Sequence, residues 1–135
     1  MDTHNDYKML RVALVIFGLI FTFAVYPLTH FWPSGWAWHL VGQNVYLQMI
    51  LGVYATLGIF LILAAKNPIQ HLSLIWFTVW SSIVHGGIMA IQAIYYPQHF
   101  AHLYGDVPAL FIVALVLAVL TPRQSTVTRQ EKNNN

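Results

Sequence analysis

Four long apolar stretches, separated by short polar or proline-containing segments, organise this chain. They cover about residues 10–30, 44–65, 69–95 and 106–121. A helix needs roughly 20 residues to cross the hydrocarbon core of a bilayer, and only the fourth stretch, at about fifteen, falls short. The pattern predicts an all-α fold: a four-helix transmembrane bundle running up-down-up-down, because helices joined by short loops pack antiparallel. Residues 1–9 read as a polar N-terminal segment, 10–122 as the membrane domain, and 123–135 as a disordered cytoplasmic tail.

The punctuation between stretches supports this division. The first apolar run ends in Val25-Tyr26-Pro27 without a small-residue cleavage site, so it reads as an uncleaved span rather than a signal peptide. Pro27 is placed to break or bend that helix near its end. Trp32, Trp36 and Trp38 around Pro33-Ser34-Gly35 predict a short loop at headgroup depth, where an indole can keep its ring in an apolar layer and its N–H on a partner. Gly52, Ala55 and Gly58 give the second span small residues for close packing. Lys66-Asn67-Pro68 predicts a tight connection, and residues 96–105 a second loop. Asp106-Val107-Pro108 reads as an N-cap acid with a proline in the first turn of the fourth helix.

The third stretch is the least uniform. His71, Thr78, His85 and Gln92 recur every seven positions, and His99 extends the series. Seven residues are close to two helical turns, so these side chains lie nearly in line with a drift of roughly 20° per step. Ser81 and Ser82 flank His85, completing a polar intramembrane seam. Thr78, Ser82, Gly86 and Ala90 form a four-residue series of small side chains, the pattern of a close helix–helix contact.

Composition sharpens the picture. Hydrophobic residues make up 58% of the 135 positions and charged residues 7%, against roughly 25% charged in soluble domains. Between Arg11 and Arg123 only Lys66 and Asp106 carry a formal charge. Lys8, Arg11, Lys66, Arg123, Arg129 and Lys132 all fall on one side of a four-span topology, and the two opposite loops have no Lys or Arg. The positive-inside rule then predicts both termini in the cytoplasm and a multi-pass protein of the bacterial inner membrane. A net charge of +2 divided between two tails is no nucleic-acid footprint. The absence of cysteine excludes thiol–disulfide chemistry, thiolate metal sites and iron–sulfur clusters.

Seven histidines beside four acids supply the candidate chemistry. His85, His99, His102 and Asp106 are imidazole and carboxylate groups of the kind that bind zinc, copper, nickel or iron. Loop histidines at headgroup level, and an Asp106 that simply caps its helix, explain the same residues without a metal. His71 and His85 lie about 21 Å apart along one helix, a spacing that resembles two-haem membrane cytochromes; the second and fourth stretches offer no facing histidine. Thr78, Ser81, Ser82, His85 and Gln92 could relay protons or guide a substrate, or simply fix helix packing. No intramembrane carboxylate suits a proton-coupled drug antiporter, no lysine in a span suits retinal, and no phosphate-binding glycine loop or nucleophile constellation is present.

The stretches HLSLIWFTVWSSIVHGGIMAIQA (71–93) and HLYGDVPAL (102–110), above all the element from Trp80 to His85, resemble a small bacterial family of four-span membrane proteins of unknown function. That resemblance implies a four-helix membrane protein and no activity. The leading expectation is therefore a non-enzymatic accessory or interaction subunit in the lipid bilayer, as a homodimer or within a larger membrane complex. The rivals are a histidine-based metal- or haem-binding redox protein and a small transporter or proton relay built on His85.

Overall fold

A computed structural model describes residues 7–38 and 45–122. The polar segment before Tyr7 with His4, residues 39–44 with His39, and the tail expected over 123–135 lie outside the described residues. The first apolar stretch is one rod in three parts: α1 (Lys8–Leu19), a π-helical turn (Ile20–Ala24) and α2 (Val25–Phe31). Pro27 does not end it. Proline lacks an N–H and its ring crowds the carbonyl four residues earlier, which here belongs to Phe23. The π turn immediately before the proline absorbs this, with the Val25 N–H reaching back to the Ile20 carbonyl.

The connections are more regular than loops. α3 (Pro33–Trp36) occupies the Trp-rich segment, one 3₁₀ helix covers Pro68–His71, and another covers Pro97–Tyr104. All three open on proline, whose missing N–H is harmless at the first helical position and whose fixed φ suits a helix. The second 3₁₀ helix leads into α6 (Asp106–Leu120). Together they make a 24-residue apolar segment, Pro97–Leu120, which relieves the shortness of the fourth stretch. Gly105, not Asp106, is the N-cap of α6, so the carboxylate expected to cap the helix is released for other contacts.

Four segments are thus long and apolar enough to cross a membrane: Lys8–Phe31, Val45–Ala64, Pro68–Tyr95 and Pro97–Leu120. Among the described residues there is no strand. Phe23, Phe77, Trp80, Leu115 and Val119 are exposed on the outside of the bundle, where a bilayer rather than water suits them.

The helices associate as two antiparallel pairs. α1 packs along α4 (Val45–Ala64), α5 (Leu72–Tyr95) packs along α6, and α1 touches α6 to join the pairs. Leu10, Leu14, Leu61, Ile75 and Leu117 form the heart of the larger core, and Met89, Val107 and Leu110 form a smaller one near the Trp-rich end. α4 and α5 approach each other far less closely than either approaches its pair partner.

The tightest crossing is in the first pair. A Cβ on Gly18 would fall 2.6 Å from Ile62 Cγ1 and 2.7 Å from the Gly58 carbonyl oxygen, and one on Gly58 would fall 2.6 Å from the Gly18 carbonyl. Thr22 fills the remaining space, its hydroxyl donating to the Gly18 carbonyl (2.7 Å) and against Gly58. Lipid offers apolar side chains as good a home as the protein interior, so close van der Waals contact carries much of the association. Gly58→Val should therefore lower thermal stability in detergent by the equivalent of about 1–3 kcal/mol, the usual penalty for overpacking. Gly87→Val, at a position with open space, should leave the melting temperature within a degree or two of the parent, roughly.

Candidate functional site

The buried residues of α5 are Leu72, Ile75, Thr78, Val79, Ser82, Gly86, Met89 and Ala93; without Thr78 they alternate by three and four residues, a packing seam. The heptad of polar residues lies one position before it, at the edge. His71, at the junction of the 3₁₀ helix with α5, and Gln92 are exposed, while His85 is half-buried and Thr78 fully buried. Thr78 donates its hydroxyl to the Leu74 carbonyl (2.9 Å) and Ser81 to the Thr78 carbonyl (3.2 Å), both within α5. Of the small-residue series, Ser82 and Gly86 are buried and Ala90 half-buried. A Cβ on Gly86 would meet Leu110 and Phe111 of α6 at ordinary contact distance.

His85 has a partner that the sequence did not suggest. Its Nδ1 lies 2.7 Å from the Tyr54 hydroxyl on α4, a bond across the pair of helices that otherwise stay apart. Tyr54 also sets its ring edge-on to Phe21 in the π turn, with centroids 5.2 Å apart. It packs against both cores. A lone tyrosine in an apolar helix carries no motif, so only the fold reveals this role.

A second polar cluster closes the Trp-rich end. His102 Nδ1 sits 3.0 Å from both Asp106 carboxylate oxygens, and the Trp38 indole N–H donates to Asp106 Oδ2 at 3.2 Å. The Trp38 ring stacks on His102 (centroids 4.3 Å, interplanar angle 23°) and lies against His99 (4.6 Å). Asp106 is therefore satisfied by donors from both connecting segments, as a buried carboxylate must be. Gly105 presses directly against the Gly35 carbonyl oxygen, so any side chain there would push α3 off the cluster.

Of the four candidate ligands, His102 and Asp106 meet directly, and His99 stands beside His102 with centroids 5.7 Å apart. His85 is bonded to Tyr54 instead. Among the described residues no three His, Cys, Asp or Glu side chains gather as a metal site.

The two clusters face a common cavity of about 260 Å³. Tyr54, His85, Asp106, Trp36 and Trp38 contribute to its wall, and the rest is Met89, phenylalanine and aliphatic side chains from the first rod, α4 and α6. The Trp36 Nε1 atom is buried without a hydrogen-bond partner among the described residues.

Four apolar spans around this interior define an integral membrane protein of all-α type. The chain belongs to DUF6632, a family of unknown function, which it matches over residues 4–135. No curated protein and no solved structure matches it.

The carboxylate is expected to dominate the stability of the Trp-rich end. Asp106→Ala leaves His102 and Trp38 without their acceptor and should destabilise by about 3 kcal/mol. Asp106→Asn keeps an acceptor oxygen and should cost less than half of that. Tyr54→Phe removes one neutral hydrogen bond but keeps the contact with Phe21, for a loss of about 1 kcal/mol. Thermal unfolding of the three purified variants checks this order.

Proposed function

We propose that the protein is a non-enzymatic accessory subunit of a membrane assembly that docks through the outer face of α4. The observation that carries this reading is the stripe Gln48, Gly52 and Thr56, at four-residue spacing and exposed along that helix. A lipid-facing glutamine and a shallow glycine are poor partners for acyl chains, whereas both suit a second transmembrane helix. The stripe borders an open groove of about 660 Å³ whose other walls include Met49, Val53, Phe60 and Leu74. The buried residues of α4, Gly58, Leu61 and Ala64, all lie in its second half, so the first half is the more available to a partner. A second copy of this chain is the simplest occupant, since the same stripe on both protomers brings Gly52 against Gly52.

The distribution of basic residues supports an orientation with both termini in the cytoplasm. Reporter fusions at either terminus should be active only in a cytoplasmic reporter, and an insertion after Gln98 only in an exported one. The absence of cysteine makes the docking test clean. Gly52→Cys should form a disulfide-linked product of twice the chain mass on mild oxidation in native membranes, while Val84→Cys, on the exposed side of α5, should not. An adduct of another mass would replace the homodimer with a different partner on the same face. Gly52→Cys that stays monomeric under oxidation would remove the docking reading.

A further inference from the structure

At the end of the bundle away from the tryptophans, the first helix pair gathers positive charge. Gly18 and Ile62 mark the line along which α1 and α4 touch. Arg11 stands seven residues before Gly18, close to two turns back along that line. Lys66 stands four residues after Ile62, one turn further on the same side of α4. The Lys66 N–H bonds to the Leu63 carbonyl, so the chain is still turning helically there. Because the helices are antiparallel, both steps lead to the same end, by about 10.5 Å on α1 and about 6 Å on α4. The two cations therefore lie level to within roughly one turn. Lys8, one turn before Arg11, completes the group.

Arg11 is half-buried, whereas Lys8 and Lys66 are exposed. Neither lysine has a hydrogen-bond or ion-pair partner among the described residues. Asp106, the one acid among the described residues, lies at the opposite end of the bundle. In a four-span topology all six Lys and Arg share this side with Asp2, Asp6 and Glu131, so positive charge stays in excess.

Depth specifies the partner. Lys8 opens the first membrane-crossing segment, and Lys66 lies between the second, ending at Ala64, and the third, beginning at Pro68. Both ammonium groups thus stand at headgroup depth. Seven residues toward the bilayer centre from each lysine stand Val15 and Ile59, apolar and exposed. A free anion would use only the charged end of this surface. A phospholipid with net negative charge uses all of it, its phosphate at the cations and its acyl chains against Val15 and Ile59. Basic pockets between transmembrane helices bind such headgroups. The positive-inside rule accounts for the sign of this side, but not for cations of two segments converging on one helix contact.

We propose that the groove between the start of α1 and the end of α4 binds the headgroup of an anionic phospholipid through Lys8, Arg11 and Lys66. This is independent of the docking stripe, which starts from Gln48 near the opposite end of α4.

The test follows the melting temperature of the full chain in neutral detergent as phosphatidylglycerol, phosphatidylcholine or inorganic phosphate is added. A ligand that binds the folded protein raises this temperature as the site fills. Phosphatidylglycerol should give a saturable rise beyond that of phosphatidylcholine at the same mole fraction, and phosphate should give none. Lys8→Gln and Lys66→Gln, both at exposed positions, should each raise the half-saturating amount about fivefold, the contribution of one basic residue near an anionic lipid. Lys132→Gln makes the same charge change in the C-terminal tail and should leave it unchanged. Equal rises with the two lipids overturn the proposal, and a phosphate effect matching phosphatidylglycerol replaces the lipid with a free anion. Equal weakening by all three variants, or none by either Lys8→Gln or Lys66→Gln, overturns the assignment to this groove.

Discussion

A single carboxylate within an apolar segment constrains the whole Trp-rich end. Asp106 begins α6 inside a stretch long enough to cross the membrane, where an unpaired charge is among the most expensive things a protein can hold. It is made tolerable by Trp38, just after α3, and His102, from the 3₁₀ helix before α6. Those two rings stack on each other as well as bonding the same acceptor, so each holds the other in the geometry the carboxylate needs. Short proline-initiated helices, Pro33–Trp36 and Pro97–Tyr104, stand beside or within the segments that supply these two rings. The cluster also gives the contact of Gly35 with Gly105 its purpose, because it forms only if the two backbones can touch.

The remaining cohesion comes from a different source. Within a bilayer the hydrophobic effect does not distinguish a leucine against lipid from a leucine against another helix, so contact distance and polar bonds decide. The first pair uses glycine at both faces of its crossing, with Thr22 bonded into the gap. The second pair uses small and medium side chains along α5, with Gly86 against Leu110 and Phe111. Between the pairs, α4 and α5 leave space, and the bond from Tyr54 to His85 spans it. Rigid pairs with a gap between them provide a cavity without loosening either pair.

The architecture was legible because hydropathy over twenty residues is a strong signal, and four such runs with proline and glycine between them admit few arrangements. Gly58 was readable as a packing residue beside its small neighbours; Gly18, its counterpart, was not, since one glycine among LVIFGLIF has no local pattern to mark it. The site was half legible. His102 and Asp106 stand one helical turn apart and could be paired on spacing, although the carboxylate was expected at the helix cap. Trp38 and Tyr54 sit 68 and 31 residues from their hydrogen-bond partners, and no periodicity within one helix can express a contact between two. Pro27 pointed to a helix end because proline's local effect is unfavourable, and the π turn that absorbs it depends on neighbours in space.

The polar heptad on α5 is instructive for the same reason. Two heptads run along this helix, one position apart, and a single step rotates the side chain by about 100°. The apolar set Leu72, Val79, Gly86 and Ala93 takes the interface, which leaves His71, Thr78, His85 and Gln92 on its flank. A flank position can face lipid, a neighbour or a gap, and on this helix the drift of a 3.6-residue turn against a seven-residue repeat separates the outcomes. The ends of the series turn outward, Thr78 turns its hydroxyl onto its own helix, and His85 alone meets the space between the pairs. The series runs along the edge of the apolar seam, with Thr78 buried in it. Its half-buried imidazole borders the cavity between the two helix pairs.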